Sequence, residues 1–408
     1  MKHNFSKLIF NYFKAFLSKG IGVIYGLILL KLLSTYLSDE SFSNYYIFYN
    51  ASFYFYTVFF TIQGNAILRY YHIKGESEII DFVNTLNSLS FIINFLFFIV
   101  LSFFNVIDKS ILFTVLVLIQ SLGVFYNELN YLRIKHYFDR VLFVIFLQAL
   151  IAISGIIILK KTLDFSTVLM IISASFFIPA FISNKGKIFF VFRPIKLSLI
   201  KNNYDVIKYA LPIVFIALAN STMSSLDQFI LKYYNFNLEL SAYIANYTIA
   251  EKSVVFILSV ITLVFVPIVF KKYNELSLEV FKDIYRVVLI FILISLVLIL
   301  ILFYTKDFLA LFLTNKDYLS YSWVIPYIAF GGVFLGINSI VSEIFTVAKK
   351  SIILMYCYVT GMMANLILNI IYIPIYGISG AVYSSIITYM IMLIITLFFA
   401  YKQYKRVK

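Results

Sequence analysis

VVLIFILISLVLILILFY, residues 287–304, contains no charged residue and one polar one, Ser295. Coiled as an α-helix it spans about 27 Å, close to the roughly 30 Å of a bilayer's hydrocarbon core. A soluble fold has no use for a helix that is apolar on every face. The stretch reads as a membrane-spanning helix, and the rest of the chain follows the same grammar. Apolar runs recur at 15–37, 42–62, 82–104, 110–126, 141–159 and 165–183, then at 209–231, 242–270, 287–304, 321–347, 351–373 and 377–400. They make twelve spans.

Composition agrees with that reading. Of 408 residues, 62% are hydrophobic and 13% charged, with a mean hydropathy of +0.95; soluble chains run at roughly 45–50% and 25%. The net charge of +14 would suggest nucleic acid in a soluble protein, but here its distribution is what matters. Lys and Arg gather in alternate loops, such as the one holding Arg133, Lys135 and Arg140. The opposite loops hold only Lys109, Lys160, Lys161, Lys232, Lys306 and Lys316. By the positive-inside rule both termini are expected in the cytoplasm.

The longest connection, NKGKIFFVFRPIKLSLIKNNYDVIK at 184–208, reads as a basic cytoplasmic linker. It divides the chain into an N-terminal six-helix lobe, 1–183, and a C-terminal one, 209–408. A faint repeat accompanies the division: Ser43-x-Tyr45-x-x-x-Tyr49 opens the second span and Ser241-x-Tyr243-x-x-x-Tyr247 the eighth. No removable signal peptide is read at the amino terminus, where a second span follows the first at once.

Absences narrow the chemistry. The sequence has no G-x-x-x-x-G-K-[ST], no H-E-x-x-H, no G-x-S-x-G and no Asp-x-Asp, so the usual phosphate cradle, zinc site, serine nucleophile and metal-bridging carboxylates are not expected. Cys357 is the only cysteine and His3, His72 and His136 the only histidines, which excludes an intrachain disulfide and argues against structural zinc. No cofactor is expected, other than a coupling cation such as H+ or Na+. Gly22-x-x-x-Gly26 and Gly332-x-x-x-Gly336 read as positions of close helix approach.

What remains are ionisable groups within spans: Lys19, Lys31, Asp227, Glu251, Lys252 and Glu343. Each costs about 2.5–3.5 kcal/mol at a helix centre, so such groups usually face a wet cavity or a partner. Lys19 and Glu343 lie near span ends and can snorkel. Glu251 and Lys252 lie deeper, and as neighbours about 100° apart around a helix they do not pair with each other. Asp227 is the candidate partner for Lys252, and Lys31 for Glu251.

Three stretches carry a family resemblance. ALPIVFIALANSTMSSLDQFILKYYNFNLELSAYIANYTIAEK, 210–252, with Pro212, Asp227 and Tyr243, resembles the seventh and eighth helices of polysaccharide repeat-unit flippases. NLILNIIYIPIYGISGAVYSSIITY, 365–389, with Asn365, Asn369, Pro374, Gly377, Gly380 and Ala381, is similar to their signature near the last helices. LLSTYLSDESFSNYYIF, 32–48, is similar to the end of their first helix and the start of the second. The resemblance is to the Wzx-type, O-antigen branch of the multidrug, oligosaccharidyl-lipid and polysaccharide exporter superfamily. The chain departs from that pattern in a glycine-poor first span and few arginines within spans.

The resemblance implies an all-α integral membrane protein of twelve transmembrane helices, in two six-helix lobes around a central cavity. It implies a non-enzyme that flips a polyprenyl-diphosphate-linked oligosaccharide across the bacterial inner membrane by alternating access, for O-antigen, capsule or other lipopolysaccharide and surface polysaccharide synthesis. Partners would be that lipid-linked glycan, membrane lipid, and a polysaccharide polymerase and chain-length regulator, with no nucleic acid. Lys19, Lys31 and Lys252 would meet the diphosphate, with Asp227 and Glu251 as counter-charge or coupling groups. The alternatives are a cation-coupled multidrug exporter of the same fold, a membrane-embedded polymerase or glycosyltransferase, and a scaffold of an assembly complex. Reporter fusions after Arg133, after Asn203 and at Lys408 are expected to read cytoplasmic, and fusions near Lys160 and Lys316 external; an external carboxy-terminal reporter contradicts the twelve-span topology.

Overall fold

The computed structural model describes residues 2–104, 108–184, 194–272 and 276–408. Twelve long helices carry the chain: α1 Lys2–Tyr36, α2 Asp39–Asn65, α3 Glu76–Phe103, α4 Lys109–Ile134, α5 Phe138–Leu159, α6 Phe165–Asn184, α7 Tyr204–Tyr233, α8 Asn237–Lys272, α9 Leu278–Leu313, α10 Val324–Val347, α11 Ser351–Tyr376 and α12 Ile378–Val407. Among the described residues there is no strand. Among the described residues eleven helices are long and apolar enough to cross a membrane, and the protein is a multi-pass membrane protein. The other long helix, α2, has 27 residues, enough to span, but its tyrosines and asparagines lower its apolarity. Each of the twelve apolar runs falls on its own helix. Most of the helices outreach their runs, because polar ends such as Asn237–Ser241 and the segment Leu278–Arg286 stay helical beyond the apolar core.

Helix ends are set by local chemistry. Asp108 caps α4, its carboxylate accepting from the Ser110 backbone N at 3.0 Å, and the two Ser110 donors hold that carboxyl below its ordinary range. Asp164 caps α6, accepting from the Thr167 N at 2.8 Å. The residues just past α4, α7 and α10 are His136, Asn235 and Lys349, at φ of 57°, 62° and 56°, the left-handed turn that closes a helix on its own last carbonyls. Gly377, at φ 57°, joins α11 to α12 with no other residue between. Three residues on, a Cβ at Gly380 would lie 2.4 Å from the Tyr372 carbonyl oxygen. That contact is backbone on backbone, so only glycine fits.

By contact the chain forms two compact units, one of Met1–Ser43 with Ala219–Lys408 and the other of Asn44–Leu218. This grouping places α1 with the second half of the sequence and cuts within α2 and α7, whereas the linker divides the spans in chain order. Residues 185–193 of that linker lie outside the described residues; its later part forms a short helix, Leu197–Asn202, directly before α7.

In the unit Asn44–Leu218, α6 packs against α4 and α5, and polar cross-links tie the helices. Asn127 donates to Gln63 Oε1 at 2.7 Å in the buried interior, and Ser183 to Glu128 Oε1 at 2.9 Å. At the helix ends Glu76 accepts from Lys135 at 2.6 Å and from the Tyr131 hydroxyl at 2.7 Å, and the Glu76 bond holds the Lys135 ammonium above its ordinary range. Lys74 pairs with Asp205 at 2.6 Å, and Arg69 lies over the Tyr209 ring at 3.8 Å.

In the other unit α10 contacts α8, α9 and α12, and α12 also packs along α11, while α1 packs on α8. The short 3-10 helix Lys316–Tyr321 tucks Tyr318 inside. Its hydroxyl donates to Asp39 Oδ1 at 2.7 Å, and burial pushes it well above the usual phenol range. The two glycine pairs behave differently. A Cβ at Gly336 would meet the buried Phe291 ring at 2.3 Å, and one at Gly332 would meet Val254 at 3.3 Å, so that pair seats α10 on both neighbours. A Cβ at Gly22 would meet nothing within 4 Å. Gly336→Ala is therefore expected to destabilise by about 1–3 kcal/mol through overpacking, while Gly22→Ala stabilises slightly by helix propensity. Thermal melting of both purified variants in detergent checks this; equal losses contradict the packing assigned to Gly336.

Candidate functional site

The unit of α1 and α7–α12 holds a line of polar groups built on α8. Tyr243, Tyr247 and Glu251 recur every four residues, so they share one face about 6 Å apart. The rings of Tyr243 and Tyr247 are 5.6 Å apart. The Tyr243 hydroxyl donates to Asp227 Oδ2 on α7, and the Gln228 backbone N donates to Asp227 Oδ1 at 2.8 Å. Asp227 has no exposed surface. Further along, the Tyr247 hydroxyl lies 3.5 Å from that of Tyr389 on α12, which donates to the Met223 carbonyl at 3.3 Å. Glu251, half-buried, lies within electrostatic reach of both Tyr247 and Tyr389. The result is a ladder of oxygens running from a sealed carboxylate to a partly open one.

Lys252 sits beside this ladder on another side of α8. Its aliphatic stem crosses α1 at Gly26, where a Cβ would come within 3.1 Å of the Lys252 Cε. Glycine makes the room for the lysine. The ammonium is half-buried and has no hydrogen-bond or ion-pair acceptor among the described residues. Glu251 and Lys252 stand near the middle of α8, Asn237–Lys272.

Neither of the expected ion pairs forms. Asp227 takes its donors from Tyr243 and a backbone amide. Lys31 lies near the end of α1, level with the end of α9 and away from the middle of α8; its ammonium donates to the Thr314 carbonyl at 2.7 Å and the Leu311 carbonyl at 3.3 Å. Those are the orphan acceptors of the α9 C-terminus, where a cation also meets the negative end of the helix dipole. Lys19 is exposed on α1, and Glu343 half-buried on α10. Of the five candidate residues, Asp227 bonds Tyr243, Glu251 follows on the same face of α8, Lys252 lies against Gly26, and Lys19 and Lys31 stand elsewhere along α1.

The tyrosines are what a search for charges passes over. The four-residue spacing of Tyr243 and Tyr247 was visible as half of a repeat, but nothing in the sequence aims Tyr389 at them. A second polar cluster follows the same spacing: Asn369 donates to Asn365 Oδ1 at 3.0 Å, and Asn365 to Thr388 Oγ1 at 3.3 Å, all buried between α11 and α12. Among the described residues no group of three or more His, Cys, Asp or Glu is placed to hold a metal ion. Cys357 is buried.

No family model matches the sequence, and no curated protein matches it either. Solved structures do. The lipid II flippase MurJ in an inward closed conformation superposes with a TM-score of 0.69 at 16% identity, over 96% of this chain and 87% of that one. An inward-facing multidrug resistance MATE transporter of the MOP superfamily gives 0.69 at 11% identity, over 96% and 95%. A MOP superfamily transporter from Pyrococcus furiosus, whose binding pocket is described as of reverse polarity, gives 0.66 at 11% identity, over 97% and 95%. The chain thus has the all-helical fold of these membrane transporters.

Tyr243→Phe is expected to cost about 1–3 kcal/mol by leaving a buried carboxylate oxygen without its donor, and the double change Tyr243→Phe with Asp227→Leu to cost less, since both partners then become apolar. Melting temperatures of the purified variants read this. An unchanged Tyr243→Phe protein shows that Asp227 does not depend on that donor.

Proposed function

We propose that the protein flips a polyprenyl-diphosphate-linked oligosaccharide across the bacterial inner membrane, with both termini cytoplasmic, for assembly of O-antigen, capsule or another surface polysaccharide. One observation carries the reading: a lysine without an acceptor among the described residues, midway along a membrane-spanning helix, given room by a glycine on the helix opposite. An ammonium at that depth is costly unless water or an anion meets it. A diphosphate is such an anion, and a polyprenyl tail suits the lipid outside.

In this reading Lys252 meets the diphosphate as it passes, and Lys19 on α1 adds positive charge. Lys31, its ammonium taken up by the α9 carbonyls, steadies α1. Glu251 and Asp227 balance the charge of Lys252 or bind a coupling cation, H+ or Na+, along the tyrosine ladder. Transport is by alternating access of this polar site to the two sides of the membrane, and no residue is assigned a catalytic step. The fold shared with a lipid II flippase supports a lipid-linked glycan as cargo; a polymerase and a chain-length regulator would act on the product. The six-and-six division at 184–208 remains part of the proposal as the order in which two bundles were joined.

The two carboxylates on the ladder favour a second reading, a cation-coupled multidrug exporter of the same fold, because cationic drugs need an acidic site. Purified protein in proteoliposomes with a fluorescent polyprenyl-diphosphate glycan separates the two. Lys252→Ala is expected to slow flipping by about tenfold to a hundredfold, the worth of one charge-assisted contact of about 1.5–3 kcal/mol, with protein abundance unchanged. Glycan flipping at the rate of empty liposomes, together with ethidium export that Lys252→Ala leaves intact, favours the exporter.

A further inference from the structure

A cavity lies in the same unit as the tyrosine ladder, at the ends of α10 and α12. Its volume is about 340 Å³, and its polar wall is made by Lys349, Lys350, Gln403 and Arg406, with Val347 and Val407 among its apolar lining. Among the described residues no carboxylate lines it. Two helix C-termini meet there, and their partial negative charge explains one or two nearby cations. Three are present.

The three cations are held differently. The Lys350 ammonium donates to the Oε1 of Gln403, an amide only 3% exposed, and is thereby fixed in place. Lys349 and Arg406 have exposed side chains and no acceptor among the described residues. Lys349 also occupies the left-handed position of the α10 turn, at φ 56°. In that turn its N–H bonds the Thr346 carbonyl at 3.1 Å, and the Lys350 N–H bonds the Phe345 carbonyl at 2.8 Å. Glycine or asparagine is the usual residue there. A lysine in its place puts a cation at the cavity mouth against the local backbone preference.

The neighbouring surface of α12 sets the depth. Leu397, Phe398 and Tyr401 are exposed apolar or aromatic side chains, and Lys402 and Lys405 lie over the rings of Phe398 and Tyr401 at 4.4 and 4.9 Å. Aromatic rings under lysines mark the level where hydrocarbon gives way to headgroups. A cavity at that level with a cationic wall and an apolar lining suits a phosphate that carries acyl chains. Basic pockets between transmembrane helices hold anionic headgroups in this way.

We propose that this cavity binds the phosphodiester headgroup of an anionic membrane lipid. Arg406 grips the phosphate with two parallel donors, Lys349 closes over it, and the fixed Lys350 supplies the third charge. The acyl chains lie along the apolar face of α12. The same phosphate chemistry would also take a free phosphate, and the chains are what distinguish the two.

The test uses the full-length protein purified in detergent, with retention of dioleoyl-phosphatidylglycerol followed by native mass spectrometry. Lys349→Asn keeps a residue that accepts the left-handed turn; combined with Arg406→Gln it is expected to weaken phosphatidylglycerol binding about tenfold or more. The double change Lys402→Gln with Lys405→Gln removes as much charge from the adjacent surface and is expected to change binding less than about twofold. Dioleoyl-phosphatidylcholine is expected to bind weakly to all three proteins. Equal loss in the two double variants, no loss in either, or equal retention of phosphatidylcholine overturns the site. Displacement of phosphatidylglycerol by millimolar inorganic phosphate overturns its assignment to lipid.

Discussion

The absence of water in the bilayer core governs this structure, because each backbone N–H and C=O must find its partner within its own helix. The hydroxyl side chains obey the same rule. Thr57, Ser173, Thr248 and Thr396 each donate to the carbonyl four residues back, at 2.7 to 2.9 Å. Serine and threonine are thereby spent locally and tie few helices together. Cross-helix polar contacts fall to longer or charged groups: Asn127 with Gln63, Ser183 with Glu128, Tyr243 with Asp227, Asn365 with Thr388. The specific register of helix on helix rests on this small set, set in a background of apolar packing that is tolerant of sliding.

The same constraint sorts the lysines. An ammonium in a low-dielectric interior has three outlets: a helix C-terminus, an anion, or water reached by a long stem. Lys31 takes the first, at the end of α9. The three cations at the ends of α10 and α12 lie near two such termini and outnumber what those termini require. Lys252 has neither outlet among the described residues, although it stands near the middle of α8. Gly26 removes even the side chain that would have covered its stem. A structural ion pair would have needed a carboxylate opposite, and the expected one, Asp227, is already satisfied by Tyr243 and Gln228.

Twelve spans were legible in the sequence because bilayer thickness imposes a length on apolar runs, and that length survives any detail of packing. Even α2 was legible, although Tyr45, Tyr46, Tyr49 and Asn50 dilute it, since its apolar and aromatic residues still run for the required distance. Pairings were not legible. Whether Lys252 faces Asp227 or Gly26 depends on the rotation of α8 about its axis and on which helices adjoin it, and neither leaves a mark at fixed spacing. The glycine motifs were half-legible: Gly332 and Gly336 mark close approach as expected, but Gly22 faces open space and Gly26 admits a lysine stem in place of a helix backbone.

The repeat at the openings of α2 and α8 shows where function can diverge on duplicated geometry. In both, tyrosines four apart bring their rings to similar distances, 5.8 Å for Tyr45 and Tyr49 and 5.6 Å for Tyr243 and Tyr247. Asp227 lies 16 residues before Tyr243; the residue at the matching place before Tyr45 is Leu29, and those matching Glu251 and Lys252 are Phe53 and Tyr54. The aromatic frame is thus common to both openings, whereas the charges belong to one. A frame of tyrosines is stable without a carboxylate, since a hydroxyl can be satisfied by a backbone carbonyl, as Tyr389 is by Met223. A buried carboxylate is not stable without donors. The ordering of dependence therefore runs one way: the tyrosines come first as packing, and they make α8 a helix on which Asp227, Glu251 and Lys252 can be placed within the membrane.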